Sequence, residues 1–579
     1  MITLDQLNQA SPAEFVAALD GIFEHSPWVA TRVEVARPFL SRAHLLQAMR
    51  TVVATADLDE QLALIRAHPE LAGKAAIRKE LTVESTREQR GAGLDSCTPE
   101  EFARLHELNA EYRERFAFPF ILAVRGHTPA SIIRAMEQRL GNDPSVEGET
   151  ALAQIGRIAG FRLAERVASP YGAEIMGMLE ELAHLSEDPD ALTCSYLTPP
   201  HIAAADRIRD WMLAANLETH IDAVGNVVGR LRSNAGNAKT LIIGSHYDTV
   251  INSGRFDGRL GVVLPIAVAL ELRQRGKQLP FDLEIVGFAD EEGVRFKSTF
   301  LGSSALAGSF DPAWLENKDG SGTTMREAMT SAGLDPAGIA AIKRDPRQLL
   351  GYVEIHIEQG PVLLDEDRAL GVVTGIAGSV RYSVTIRGLA GHAGTVPMHL
   401  RRDAAAAAAE LILAVERRCK ATPGVVGTVG RLNVPNGAIN VIPGRCDLTL
   451  DLRAPEDATR DTALADVLAE IEKIAERRNV EIDTQLMMRA AAAPCDSSMQ
   501  QRWAQSISRV MGDASPRHLP SGAGHDAMKM AEITPMGMLF VRCGNDGISH
   551  HPDETMTTAD AALAAKAFEN FLLHFGSDS

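Results

Sequence analysis

Apolar side chains recur at helical spacing through the first third of the chain. Leu45, Met49 and Val52 fall at i, i+4 and i+7, and similar stripes run from Asp57 to Ala67 and from Gln154 to Val167. Strand-like alternation is nearly absent there, so residues 1–168 are predicted to form an all-α helical unit. The stretch Ala168-Ser-Pro-Tyr-Gly172 reads as a break. Beyond it, short apolar runs alternate with helical stripes. Leu241-Ile-Ile-Gly244, Phe281-Asp-Leu-Glu-Ile-Val-Gly-Phe-Ala289 and Tyr352-Val-Glu-Ile-His356 read as strands, and Gly258 to Arg275 as a helix. Val380-Arg-Tyr-Ser-Val-Thr-Ile386 and Cys446-Asp-Leu-Thr-Leu-Asp-Leu452 alternate as half-buried strands around an alanine-rich helix from Asp403 to Lys420. The pattern predicts a multidomain chain. An α/β unit over residues 172–375 plus 491–579 follows the helical one and is interrupted by an inserted α+β unit over residues 376–490.

At 579 residues the chain has room for roughly two to four domains, and a hydrophobic share of 45% is ample for their cores. A formal charge of −18 argues against nucleic acid or an anionic membrane as partner. It leaves an anionic small molecule open, because local arginines decide that. Cys97, Cys194, Cys419, Cys446, Cys495 and Cys543 show no CxxC spacing, as in a reducing compartment. The start, Met1-Ile-Thr-Leu-Asp, has no signal-peptide pattern, and Phe575-Gly-Ser-Asp-Ser579 is no peroxisomal address. No apolar run approaches the ~20 residues of a membrane span. The expectation is a cytoplasmic enzyme.

Metal-ligand residue types collect where the strand-like runs end. Gly244-Ser-His-Tyr-Asp-Thr-Val250 and Ser253-Gly-Arg-Phe-Asp-Gly258 supply His246, Asp248 and Asp257. Asp290-Glu291-Glu292-Gly293 follows the next run, His356 ends another, and Ser549-His550-His551-Pro552 lies far downstream. Open α/β sheets place their sites just beyond strand ends. Such a set of histidines and carboxylates can hold two divalent cations with one carboxylate bridging. His246 and Asp248 share a face in extended chain, so Asp248 can hold the histidine's other ring nitrogen. Singly, each motif also reads as a satisfied core histidine, a solvated acidic turn or an ordinary loop pair.

The helical unit carries four motifs of its own: Phe23-Glu-His-Ser-Pro-Trp28, His68-Pro-Glu-Leu-Ala-Gly73, Ser85-x-x-Glu-Gln89 with Ala92-Gly-Leu94, and Phe118-Pro-Phe-Ile121. The proline after His68 places that histidine at a helix end. Ser85-x-x-Glu88 also has the form of a capping box. Taken alone, His68 reads as a surface or capping histidine, Arg162 as a solvated helix residue and Phe116 to Phe120 as core. Together the motifs resemble the 2-oxo-4-hydroxy-4-carboxy-5-ureidoimidazoline (OHCU) decarboxylase family over residues 1–168. The resemblance implies decarboxylation to (S)-allantoin without a cofactor. His68 would be the general acid/base, with Glu88 and Arg162 completing the site. Ser85 and Gln89 would hydrogen-bond the heterocycle, and Pro69, Phe120 and Ile121 would line the pocket. Such chemistry needs charge placement and one aimed proton donor.

The ligand set resembles the M20 metallopeptidase-like amidohydrolases over roughly residues 172–579. By that resemblance His246, Asp257 and His356 bind one cation and Asp257, Glu292 and His550 the other, Zn²⁺ or Mn²⁺, with Glu291 as general base. Asp290-Glu-Glu-Gly-Val-Arg-Phe296, Glu354-Ile-His-Ile-Glu-Gln-Gly360, Gly391-His-Ala-Gly394 and Ser521-Gly-Ala-Gly-His-Asp526 are similar to the allantoate amidohydrolase and N-carbamoyl-amino-acid hydrolase branch. That likeness implies a homodimer through the inserted unit, acting as dimerisation and lid domain. His392 would reach the neighbouring subunit's oxyanion, and Gln359, Asn440, Arg453 and the Gly524 backbone would hold a ureido substrate. Arg453 is the natural carboxylate clamp. Gly394-Thr-Val-Pro397 departs from the branch's Thr-Thr-Pro.

Both units then point to urate breakdown, the first making (S)-allantoin, the second hydrolysing allantoate to ureidoglycine, ammonia and CO2. An N-carbamoyl-L-amino-acid or ureidoglycolate substrate, a peptidase, and a helical half serving only as an assembly module stay open. GxxxxGK[ST], HExxH and GxSxG are absent, and Gly424-Val-Val-Gly-Thr-Val-Gly430 lacks dinucleotide spacing. Ser521, His525 and Asp526 crowd one loop too closely for a nucleophilic triad.

Overall fold

The computed structural model describes residues 2–39, 41–72, 82–95, 97–125, 127–512 and 515–575. Met1, Gly73 of the His68 motif and residues 576–579 lie outside them.

The helical stripes become helices at Arg42–Ala54, Leu58–Ala67, Val83–Gly91, Pro99–Phe116, Pro129–Arg139 and Pro144–Arg166. Asp57, Thr82, Thr98 and Thr128 each accept a backbone N–H of the first turn, which satisfies one of the donors a helix start leaves free. Thr82, not Ser85, caps the helix Val83–Gly91. The capping-box reading of Ser85 is therefore overturned: its hydroxyl turns to Glu24 instead. Ile2–Thr3 pairs in parallel with Val167–Ala168, a small exception to the all-helical expectation.

Two more helices, Tyr171–Ala183 and Pro199–Ala214, precede the first strand of the second unit. Its sheet has nine strands among the described residues. Four parallel ones form the centre, in the order Met536–Val541, Leu349–Ile357, Thr240–His246 and Asp282–Phe288. They are covered on both faces, which is why they read as nearly unbroken apolar runs. Val227–Leu231 and Glu218–Ile221 extend one side antiparallel; Leu370–Ile376 extends the other. The return of the chain through Met536–Val541 brings the His550 loop back to the strand ends. One apolar core runs from Leu45 and Met49 of the helical half through Ile175 and Leu182 to Ile266 and Phe568, so the halves touch.

Residues 378–490 carry a separate antiparallel sheet, in the order Val426–Thr428, Arg445–Ala454, Gly378–Arg387 and Glu481–Ala490. Helices Ala404–Lys420 and Asp457–Arg478 cover one face, around a core that includes Val384, Leu411, Leu450 and Val467. Among the described residues no helix is long and apolar enough to cross a membrane.

Candidate active sites

Thr240–His246 and Leu349–Ile357 are neighbours in the large sheet, so His246 and His356 emerge side by side, their rings 5.9 Å apart. Asp257 stands between them, just before the helix Arg259–Gln274. Its Oδ1 lies 3.1 Å from His356 Nε2 and 3.7 Å from His246 Nε2. Its Oδ2 lies 2.9 Å from His550 Nε2, which is 3.4 Å from Glu292 Oε1. The two carboxylate oxygens thus divide the five residues into the two trios read from sequence, each with ligand atoms within 4.8 Å of one another.

The ring nitrogens facing away explain what the inner ones can do. His356 Nδ1 is 2.9 Å from the Ile357 carbonyl and His246 Nδ1 is 3.1 Å from that of Asp248, so each N–H is donated there. Unprotonated Nε2 atoms are left facing Asp257. Asp257 Oδ1 is buried and, among the described residues, has no hydrogen-bond partner. Lone pairs converging on a sealed carboxylate repel unless a cation lies among them, so the residues fit a divalent-metal site. Gly258, at φ 64°, has no room for a side chain: a Cβ there would lie 2.4 Å from the His246 ring.

Asp248 ties the ligand loops together. It lies 3.4 Å from His246 Nδ1, and its oxygens accept the backbone N–H groups of Glu291 at 3.1 Å and Glu292 at 3.2 Å. Glu554 does the same for Asp257 and is absent from the set read from sequence. Its carboxylate accepts the N–H groups of Phe256 and Asp257 at 2.9 and 3.2 Å and the Ser549 hydroxyl at 2.7 Å, joining the Asp257 loop to the His550 loop. The signal was its position four residues after His550. Burial and the neighbouring Glu292 carboxylate push Glu291 well above its ordinary range.

A cavity of about 300 Å³ opens on these residues and is lined as well by Gln359, Gly524, Arg453 and Arg381. Gln359 Nε2 reaches Asp257 Oδ2 at 3.1 Å. Arg453 is held bidentately by Asp451 at 3.0 Å and donates to the Gly522 carbonyl at 2.6 Å. Arg381, opposite Asp451 on the adjoining strand, donates to the same carboxylate at 2.9 Å. Sequence spacing could not pair residues 70 positions apart. His392 and Asn440 are not brought into this lining. They sit together at the exposed pairing of Gly391–His392 with Val441–Ile442. Ser521 and His525 do hydrogen-bond at 2.7 Å, but Asp526 binds Ser303 and completes no triad.

The second site lies within the helical half. His68 ends the helix Leu58–Ala67, and its Nδ1 is 2.9 Å from the Leu64 carbonyl. Nε2 is buried and, among the described residues, has no partner, so it carries a lone pair. Burial pushes His68 down to about 4. Arg162 is buried rather than solvated. It meets both Glu88 oxygens at 2.8 and 2.9 Å, Glu24 at 2.7 Å, Ser85 at 3.2 Å and the Gly21 carbonyl at 2.8 Å. His68, Pro69, Ser85, Glu88, Gln89, Phe120, Ile121 and Arg162 line one small cavity, and Arg125 and Phe161 add to it. Gln89 is fixed by the Ala72 N–H, 3.1 Å from its Oε1. Glu24, in the first of the four motifs but given no role there, also accepts the Thr82 hydroxyl at 2.6 Å.

Residues 8–164 match the family model for OHCU decarboxylase, and residues 242–574 match that for peptidase family M20/M25/M40. Allantoate deiminase 1 of Glycine max is 39% identical over 428 residues, 69% of this chain and 88% of that protein. The N-carbamoyl-L-amino acid amidohydrolase of Geobacillus stearothermophilus is 40% identical over 396 residues, 68% of this chain and 96% of that one. A solved amidase of the hydantoinase/carbamoylase family from Burkholderia multivorans covers 70% of this chain and 97% of its own at 31% identity, with a TM-score of 0.66. The crystal structure of AtUAH in complex with glyoxylate covers 71% of this chain and 98% of its own at 33% identity, with a TM-score of 0.58. The chain belongs to peptidase family M20/M25/M40 and carries, ahead of that fold, a unit of the OHCU decarboxylase family.

Proposed function

We propose that the chain performs two steps of urate breakdown, converting OHCU to (S)-allantoin and hydrolysing allantoate to ureidoglycine, ammonia and CO2. The observation that carries this reading is the presence in one chain of both residue sets, each gathered around its own cavity. Relatives of the second unit include both allantoate deiminases and N-carbamoyl-L-amino acid amidohydrolases, so that unit alone does not choose between the substrates. The neighbouring decarboxylase unit does, because its product lies upstream of allantoate.

In the hydrolase site, two divalent cations, Zn²⁺ or Mn²⁺, held by His246, Asp257, Glu292, His356 and His550, would supply Lewis acidity toward water and the scissile group. Glu291 accepts a proton from the attacking water at its carboxylate and delivers it to the leaving nitrogen. Arg453, fixed by Asp451, has donors left over to clamp the substrate carboxylate, with Arg381 beside it. Arg453→Met is expected to raise KM for allantoate about a hundredfold with a smaller change in kcat, the loss of one charge-assisted pair. An equal fall in kcat and kcat/KM would move Arg453 from binding to transition-state stabilisation.

Exposed large apolar side chains gather on the inserted unit, among them Leu389, Met398, Leu400, Leu432 and Ile439, with Ile439 fully exposed. Apolar side chains so exposed suit a homodimer interface, which would bring His392 and Asn440 to the neighbouring subunit's substrate. Mixing Glu291→Gln chains with His392→Ala chains is expected to restore about a quarter of parent activity, since half the dimers then hold one complete site. No recovery on mixing would place both residues in one subunit's site.

In the decarboxylase site no cofactor is required. His68 Nε2, unprotonated at rest, accepts the proton of the substrate hydroxyl and hands it to the carbon skeleton after CO2 leaves. Arg162 and Ser85, fixed by Glu24 and Glu88, orient the heterocycle.

The test is ammonia release by metal-loaded protein from allantoate, beside N-carbamoyl amino acids, ureidoglycolate and a dipeptide, together with CO2 release from OHCU. Allantoate as best substrate with CO2 release supports the reading. Preference for a carbamoyl amino acid removes allantoate, and absence of CO2 release leaves the helical half as an assembly module.

A further inference from the structure

The helix Arg259–Gln274 begins two residues after Asp257 and ends against the helical half. Its 16 residues span about 24 Å. Gln274 Nε2 donates to the Ala164 carbonyl at 2.6 Å. That carbonyl is among the last four of the helix Pro144–Arg166, which have no partner within their own helix. Gln274 therefore caps the helix that carries Arg162.

The next residue on that helix, Glu165, is a meeting point. Arg125 Nη2 donates to its Oε1 at 2.6 Å, Arg87 pairs with its Oε2, and Arg273 of the hydrolase half lies 3.7 Å from Oε1. Arg87 stands beside Glu88 on the helix Val83–Gly91. Arg125 lines the decarboxylase cavity and stacks over Phe161, another lining residue, at 4.8 Å. Arg273 and Arg125 are both fixed by the end of the helix Pro199–Ala214: Arg273 Nη1 donates to the Ala214 carbonyl at 2.7 Å, and Arg125 Nη1 to that of Leu213 at 3.3 Å. One carboxylate thus gathers arms from two elements of the decarboxylase pocket and from the helix that leads to the metal ligands.

We propose that the hydrolase half positions the decarboxylase site, with Arg273 and Gln274 fixing Glu165 and the end of the Arg162 helix, and Glu165 fixing Arg87 and Arg125. Arg273, Gln274, Glu165 and Arg87 are positioning residues; none of them lines either cavity. The inference rests on the decarboxylase reading for its kinetic readout only. With Arg273 and Gln274 removed, Arg125 and the Arg162 helix lose fixed points, and small displacements at a reacting centre cost rate steeply.

The experiment compares the full chain with the double variant Arg273→Met, Gln274→Ala and with Arg273→Lys. The double variant is expected to lower kcat for decarboxylation about tenfold with little change in KM, and to leave ammonia release within about twofold of parent. Arg273→Lys, which keeps the charge toward Glu165, recovers most of the loss. Amide hydrogen exchange over residues 118–125 rises in the double variant and not in Arg273→Lys. Unchanged decarboxylation with unchanged exchange overturns the proposal. So does an equal loss of both activities with a lowered melting temperature, which marks general destabilisation. If the parent releases no CO2 from OHCU, the functional reading fails, and the exchange comparison still decides the positioning role.

Discussion

Glutamine at position 291 is expected to lower ammonia release from allantoate by about three orders of magnitude, the middle of the range that a positioned general base contributes. The substitution is nearly isosteric, and what holds the residue in place is its backbone. Its N–H is donated to Asp248 at 3.1 Å, and its carbonyl accepts the Phe300 N–H at 2.9 Å. The ligands of the site therefore keep their places, and metal content measured by elemental analysis stays at the parent value. Asp257→Asn gives the contrasting result. A neutral amide replaces the carboxylate that His246, His356 and His550 surround, so bound metal and hydrolysis fall together. Decarboxylation is unaffected in both variants, because neither residue belongs to the helical half. Loss of metal in Glu291→Gln would make Glu291 a ligand, and near-parent turnover would require another base.

The candidate metal-site residues were legible because their types stand out at, or in the loops after, the ends of short apolar runs. His246 ends its strand, and Asp257 stands one glycine before its helix. The residues that hold the ligands were less visible, for a physical reason. Glu554 binds backbone N–H groups almost 300 positions away, and a backbone donor leaves no mark on the sequence at its own position. Arg381 and Asp451 meet through antiparallel register, which only the strand pairing sets. In the helical half, Ser85 has the form of a cap, but Thr82 starts the helix three residues earlier and frees Ser85 for Glu24 and Arg162. Contact between the halves was invisible altogether, because side chains such as Gln274 and Arg273 look like ordinary polar ends of a helix. Only the tertiary fold turns them toward Ala164 and Glu165.

Decarboxylation by the parent chain is expected to stay nearly constant from pH 8 down to about 5 and to fall only as His68 takes up a proton near 4. An unperturbed histidine base would lose its rate near 6.5 instead. The shift comes from burial, which disfavours the charged ring; the Leu64 carbonyl and Glu24 oppose it without overcoming it. The same shift bears on stability. Above pH 6.5 the ring is neutral in the folded and unfolded chain alike, and this histidine adds no pH dependence. Between 6.5 and 4 the unfolded chain takes the proton while the folded chain does not, so stability falls with pH. The full loss, reached below 4, is about 3 kcal/mol for a shift of this size. His68→Asn keeps a polar side chain of similar reach but provides no base, and is expected to lower kcat about a thousandfold. It also removes that part of the acid destabilisation, so its unfolding midpoint in urea changes less than the parent's between pH 7 and pH 5. A rate that falls at 6.5 in the parent, or a parent and variant with the same acid destabilisation, would mean that His68 is hydrated in solution and not sealed among the residues that surround it.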